Sequence, residues 1–355
     1  MLISGVLNAQ IDTSKLQKLL NESVDNEQVF GSVLKIETTN ESWHGSAGNI
    51  SKNQPYFIAS TTKLYTTVLI MMLVEEGKLT LEDNISKYLP EEVMNGLHVL
   101  NGIDYSNQLT IKHLLSQTSG LPDYFSDHTK PQKSLYSLLT QTKTDTAWTF
   151  ESCIALSKTI KPKFAPGFKK KAHYSDTNFQ LLGKIIESIC KQKIAEVYDE
   201  RIFKPLGLKQ TYLFVDAGDK RPIQMYYNKQ VFNIPLAMSS FGADGGIVST
   251  AAETQIFLKA FFKGELFPKE ILESLYCWNA IFFPLEYGIG LMRFSLPRVF
   301  SPFKPVPYFI GHSGLSGAFA YYVPEKDVFV SGTINQVNNP SLSYQLIIKA
   351  LSCVK

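Results

Sequence analysis

Cysteine is scarce and scattered. The four cysteines of the 355 residues, Cys153, Cys190, Cys277 and Cys353, stand far apart with no C-x-x-C pair. Neither a zinc site nor a disulfide framework is therefore indicated. No apolar run reaches the ~18 residues needed to span a bilayer. The amino terminus, MLISGVLNAQIDTSK, has no basic n-region and too short an apolar stretch for a signal peptide. The expected location is cytoplasmic, or extracytoplasmic if a leader has been removed. No charge sign is in excess: 35 basic and 32 acidic residues leave a net charge of +3, too small to imply nucleic acid. His44, His98, His113, His128 and His173 show no i,i+4 pairing and no clustering with carboxylates, so no metal and no cofactor is expected. What is present, 44% hydrophobic and 19% charged residues, is an ordinary globular composition, long enough for one large domain or two joined ones. Oligomeric state is left open.

The chain reads in three parts, with no internal repeat and no low-complexity linker. Residues 12–23 suggest a short amphipathic helix, and 28–38 with 42–50 an antiparallel hairpin turning at Thr39-Asn40. From 79 to 208 the periodicity is helical, as in 111–116, 134–140 and 178–191. After a further helix past Thr250, strand character returns at 308–312, 318–323 and 328–335, and a last helix starts at Ser341. Strands at both ends with helices between imply one sheet built from both termini. The segment 294–309, FSLPRVFSPFKPVPYF, is dense in proline and aromatics and enters the 308–312 strand, where it offers a wall for a cleft.

Chemistry concentrates in the stretch QPYFIASTTKLYTTVLIMML. A short apolar run turns at Ala59-Ser60 and continues as a helix with Lys63 three residues on. A hydroxyl and an amine then share one helical face, at the end where the helix dipole favours negative charge. That arrangement activates a serine without histidine. Ser-x-x-Lys also occurs at Ser32, Ser188, Ser301 and Ser352, but only Ser60 follows a strand and opens a helix. Tyr174, in a turn before the helix 178–191, is a candidate partner for a proton relay, with Tyr105 as rival. His312-Ser313-Gly314 closes an apolar strand; Leu315 breaks the Gly-x-Ser-x-Gly pattern, which disfavours a nucleophile elbow.

Taken together, Ser60-Thr-Thr-Lys63, Tyr174-Ser-Asp176 and His312-Ser-Gly314, in that order, resemble the three motifs of the penicillin-recognising serine hydrolases of the class C β-lactamase and D,D-carboxypeptidase type. Connecting blocks such as LTIKHLLSQTSGLPDY, GGIVSTAAE and YGIGL are similar to family blocks, over roughly residues 28–335. The resemblance implies an α/β (α+β) fold in which helices flank an antiparallel sheet. An α/β domain (1–85 plus 235–355) would carry an inserted, mainly helical domain (86–234), with the active site in the cleft between. It further implies that Ser60 forms an acyl-enzyme while Lys63 and Tyr174 share general-base and general-acid work. His312 would support Tyr174 or meet the substrate's carboxylate end. The backbone N–H groups of Ser60 and Leu315 would form the oxyanion hole, and Asp176, Ser313, Gly314 and Tyr124 would contact substrate. Two departures stand out. His-Ser-Gly replaces the Lys-Thr-Gly of true class C β-lactamases, and Asp176 replaces an asparagine that usually contacts the substrate amide. A carboxylate accepts but does not donate, so both changes argue against efficient β-lactam hydrolysis.

The expected function is therefore a serine hydrolase that acts through an acyl-enzyme on an ester or amide, such as a D-amino-acid peptide. The alternatives are a class C-type β-lactamase and a non-turnover penicillin-binding sensor. The expected partner is a small-molecule or peptide substrate.

Overall fold

Strands from both ends of the chain meet in one eight-stranded antiparallel sheet. The computed structural model describes residues 10–130, 132–302 and 305–354, apart from the side chain of Lys170. In chain order the sheet strands are β1 (Gly31–Glu37), β2 (Ser42–Gly48), β3 (Asn279–Phe282), β4 (Leu285–Tyr287), β5 (Met292–Phe294), β6 (Phe309–Ser313), β7 (Ala318–Val323) and β8 (Val328–Thr333). Their spatial order is β3-β4-β5-β6-β7-β8-β1-β2. The pairing of β1 with β8, Val33 opposite Thr333, joins the two ends of the chain.

Alternation along the central strands divides their side chains between two cores. Leu34 and Ile36 of β1, Phe319 and Tyr321 of β7, and Val330 of β8 pack on one face against α1 (Thr13–Ser23) and the last helix, α5 (Ser341–Leu351). Val33, Ala320 and Phe329 point to the opposite face. There they meet α2 (Thr62–Glu75), α3 (Asp176–Cys190) and α4 (Ala251–Lys263). Asp12 caps α1 by accepting from the Lys15 N–H, 2.9 Å away. α2 is apolar nearly all round, and eleven of its fourteen residues are buried, which makes it the central helix of the larger core.

Residues 279–294, in which the sequence shows no strand, supply β3, β4 and β5. Each has only three or four residues, too short for a period-two pattern, and β3 is an exposed edge. A second sheet of three very short strands, Tyr56–Phe57, Ile247–Ser249 and Tyr212–Leu213, carries the chain into Ser60.

Candidate active site

The approach to Ser60 is a strained turn between that small sheet and α2. Tyr56 and Phe57 pair with Ser249 and Val248, and the Ile58 N–H donates to the Ile247 carbonyl at 3.0 Å. Ala59 then takes a left-handed backbone (φ 45°), and Ala59–Thr61 form a 3-10 turn before α2 begins at Thr62. A non-glycine residue at positive φ stores strain that the surroundings must enforce. Ser60 thus precedes the α-helix and is not its capping residue, since Thr61 holds that position.

Lys63 lies one turn on, with no solvent exposure. Its ammonium has three hydrogens and three oxygens to meet them: Ser60 Oγ at 3.2 Å, the Asp244 carbonyl at 2.6 Å and Asp176 Oδ1 at 2.6 Å. The Tyr174 and Phe179 rings lie 5.1 and 5.3 Å from Nζ. Burial alone would depress the lysine pKa, but the Asp176 and Asp244 charges outweigh it and hold the group above its ordinary value. Lys63 is a cation at neutral pH.

The loop 117–127 is strapped to the start of α3, and this strapping sets Tyr174 and Asp176. Ser175 Oγ and Thr177 Oγ1 both donate to the Pro122 carbonyl, at 2.9 and 2.7 Å, and the Asp176 N–H donates to Asp123 Oδ1 at 3.0 Å. Ser119 and Gln117 bond Asn178 from below. The Tyr174 hydroxyl is buried without a hydrogen-bond partner. Burial, reinforced by Asp176, keeps it far above the usual phenol range, while the neighbouring Ser60 hydroxyl pulls the other way. Tyr174 is therefore a neutral donor. Asp123, buried beside Asp176, is pushed up to about 7 by burial and by that neighbouring charge.

His312 is fully buried in β6. Its Nδ1 lies 2.8 Å from the Ser313 carbonyl, which can only accept, so Nδ1 carries the proton and Nε2 accepts from the Tyr287 hydroxyl at 3.1 Å. Burial, then Lys63, lowers its pKa to about 3, so the ring is neutral. Its ring centre is 6.3 Å from that of Tyr174, and Tyr287 stacks edge-on against both. His312 thus makes no hydrogen bond to Tyr174, and Tyr287 is the residue that touches both. A direct meeting of His312 with a substrate carboxylate is blocked by its burial. Ser313 Oγ is bonded to the Tyr344 hydroxyl (2.5 Å). Gly314 passes so close to the Ser60 turn that a Cβ there would sit 2.2 Å from the Ile58 carbonyl oxygen.

Ser60, Tyr174, Asp176 and Leu315 line one cavity of about 250 Å³, walled by Phe125, Tyr136, Met225, Phe232, Ile234 and Phe241. Tyr124, expected to touch substrate, is fully buried one layer behind and donates to Asp244 Oδ2 at 2.7 Å. Asp176 lines the cavity, and its Oδ1 faces Lys63 in an ion pair. Among the described residues the segment 294–309 contributes nothing to the wall. Phe300 lies tilted against Phe283 instead, their centroids 5.1 Å apart, and both are mostly exposed. Phe294 and Phe309, at the ends of the segment, are buried in the core beside α5, stacked with centroids 4.6 Å apart.

Three further site residues, Asp123, Asp244 and Tyr287, carry no spacing signal. The only hint is position: Asp123 and Tyr287 lie inside family-like blocks and Asp244 directly precedes one.

Protein flp of Staphylococcus aureus (strain MW2) is 32% identical over 161 residues, 45% of this chain and 28% of that protein. The chain spans about a third of the length of the curated relatives it matches. A D-stereospecific amidohydrolase from Streptomyces sp. superposes with a TM-score of 0.78 at 26% identity, covering 94% of this chain and 98% of that one. A D-amino acid amidase from Ochrobactrum anthropi SV3 has the same fold, with a TM-score of 0.76 at 20% identity and coverage of 95% and 99%. The family described as Beta-lactamase matches residues 16–351, and the chain belongs to it.

Proposed function

We propose that this chain hydrolyses amide or ester bonds of D-amino-acid derivatives through an acyl-enzyme on Ser60. The observation that carries the reading is Ser60 Oγ held 3.2 Å from the Lys63 amine, with the neutral Tyr174 phenol beside it, at the mouth of an apolar cavity. Two structural relatives, the D-stereospecific amidohydrolase and the D-amino acid amidase, support the substrate class.

Lys63 begins as a cation and must lose a proton before it can accept one. Asp176, 2.6 Å away, is the acceptor in reach. Transfer from Nζ to Oδ1 turns a buried ion pair into a neutral pair, which a low-dielectric site tolerates well. The free amine then takes the Ser60 proton as Oγ bonds to the substrate carbonyl carbon. The carbonyl oxygen gains the charge and meets the backbone N–H groups of Ser60 and Leu315, each worth a few kcal/mol in such sites. Tyr174 donates its proton to the leaving amine or alkoxide as the C–N or C–O bond breaks, and the proton on Lys63 replaces it. Water then gives a proton to Lys63 as its oxygen bonds to the acyl carbon; the bond from that carbon to Ser60 Oγ breaks, Oγ takes the proton back from Lys63, and Asp176 returns its proton to the amine as the acid leaves.

A β-lactamase reading is less well supported. Penicillins carry a carboxylate, and the charged side chains lining the cavity are all carboxylates. The deciding assay compares a D-phenylalanine amide, p-nitrophenyl acetate and nitrocefin on parent and Ser60→Ala protein. Ser60-dependent release from the amide or the ester with nitrocefin untouched is expected. Ester hydrolysis equal in the two proteins rules the reading out, and fast nitrocefin turnover replaces it with the β-lactamase.

A further inference from the structure

Lysine is unevenly placed along this chain. Residues 128–144 and 152–175 hold nine lysines and no carboxylate, so a chain of net charge +3 carries −6 elsewhere. Folding joins the two stretches. Asp127, at the head of the first, meets Lys163 Nζ at 2.8 Å and His173 Nε2 at 2.7 Å, both in the second. Lys143 is bonded to the Gln230 side chain, and Lys158 donates to the Glu92 carbonyl. Lys130, Lys133, Lys161, Lys169 and Lys171 are exposed, and among the described residues none of them pairs with a carboxylate.

Backbone bonds hold this face against the loop that builds the site. The N–H groups of Lys163, Gly167 and His173 donate to the carbonyls of Gly120, Thr118 and Gln117, each at 2.9 Å. Tyr174 follows directly, and Ser126 and Tyr136, which line the Ser60 cavity, bracket Lys130 and Lys133 in the chain. The lysines stand beside the cavity without lining it. Between them the chain turns through Gly167 (φ 69°) and Lys169 (φ 48°), and Phe168 is left exposed at the turn. The Lys169 and Lys171 ammonium groups lie 5.0 and 5.5 Å from the centre of its ring.

Charge and ring together select the occupant. Like charges gathered on one face repel one another, and an anionic partner removes that cost. A soluble polyanion engages the lysines alone and leaves the Phe168 ring in water. A lipid interface takes both. The ring settles among the headgroups, and the lysines around it lay their apolar stems along that layer and reach the phosphates. Each lysine near an anionic bilayer adds an attraction equal to about fivefold in binding.

We propose that this face docks on an anionic lipid surface, with Phe168 among the headgroups and Lys130, Lys133, Lys161, Lys169 and Lys171 on their negative charges. The Ser60 cavity is then held beside the bilayer. Docking needs no turnover, so it stands or falls apart from the hydrolase reading.

Sedimentation with vesicles tests it, equimolar phosphatidylglycerol and phosphatidylcholine against phosphatidylcholine alone. The full chain is expected to bind the anionic vesicles about tenfold or more tightly than the neutral ones. Release is expected at about 1 M salt, where the screening length shrinks to about 3 Å. Lys161→Ala, Lys169→Ala and Lys171→Ala together are expected to weaken binding about a hundredfold, whereas Lys161→Arg, Lys169→Arg and Lys171→Arg together keep it. Phe168→Ser is expected to weaken binding severalfold on vesicles and not at all on soluble polyphosphate. Phe283→Ser with Val299→Ser, at the edge of the sheet, is the control and leaves binding unchanged, as does Ser60→Ala. No preference for anionic vesicles, or one that survives the triple alanine change, overturns the inference. Loss of binding in the Phe283 and Val299 pair overturns it too, by moving the contact to the sheet edge. If Phe168→Ser binds vesicles like the parent and polyphosphate binds as tightly as they do, the face belongs to a soluble polyanion and the lipid assignment fails.

Discussion

Lys63 and Asp176 define the chemistry at the scale of single residues, because the carboxylate sets the protonation of the amine. Asp176 is the leading charge that raises the Lys63 pKa against burial. Its removal in Asp176→Asn is expected to lower that pKa and move the acid limb of the kcat/KM profile to lower pH; an unmoved limb shows that the pair does not hold the working proton. His312 makes a different prediction. Its folded pKa of about 3 lies below the ordinary imidazole value of 6.5. The unfolded chain therefore binds the proton first as pH falls, so the stabilisation from a neutral His312 is full above about 6.5 and drains away down to about 3. At about 1.4 kcal/mol per unit, this is several kcal/mol at most. Denaturant melts of His312→Gln at pH 7 and pH 4 are expected to show a smaller loss on acidification than the parent, and an identical loss refutes the assignment.

At the scale of elements, the nucleophile depends on two backbones meeting without side chains between them. The Ser60 turn carries Ala59 at φ 45°, and the chain after β6 passes directly over it at Gly314. A Cβ on Gly314 meets the Ile58 oxygen at 2.2 Å and the Ala59 Cβ at 2.9 Å, both fixed by backbone. Gly314→Ala must push the turn and β6 apart, and an error of about 1 Å at a catalytic group costs roughly a hundredfold. We expect kcat/KM to fall by about that factor while circular dichroism stays native; wild-type activity would show that the contact is not what positions Ser60. Tyr287 belongs to the same scale. β4 exists to the extent that it pairs with β5, and that pairing sets the phenol between Tyr174 and His312. Nothing in the short run LEY announces the role.

Across the whole molecule, the sheet has a working end and a rim. Phe282, Phe283, Val299 and Phe300 are more than half exposed along the β3 edge, away from the residues that line the Ser60 cavity. Phe283→Ser with Val299→Ser is expected to leave kcat/KM within twofold while raising the concentration at which the protein stays monodisperse, since exposed apolar edges promote association. A large loss of activity would mean that the rim communicates with the site.

Some of this was legible in the residues. Ser60, Lys63 and Tyr174 could be picked out because a strand-to-helix turn, an i+3 spacing and a loop before a helix are local patterns, set by a few consecutive residues. The end helices and the strands on either side of Asp327 announce themselves in the same way, since six alternating residues buried on two faces leave a clear trace. Three things were decided only by the tertiary structure. The strands β3 to β5 are too short to show a period, and they form because neighbours supply their hydrogen bonds. Asp123, Asp176 and Asp244 come from segments up to 121 positions apart in the sequence, and only folding brings them around one cavity. His312 and Tyr124 sit in the sequence among site motifs, yet both are buried behind the first layer of side chains. A motif specifies which atoms can react. Burial and through-space charge, which decide the proton's place and the ligand admitted, depend on contacts between residues that the chain itself keeps far apart.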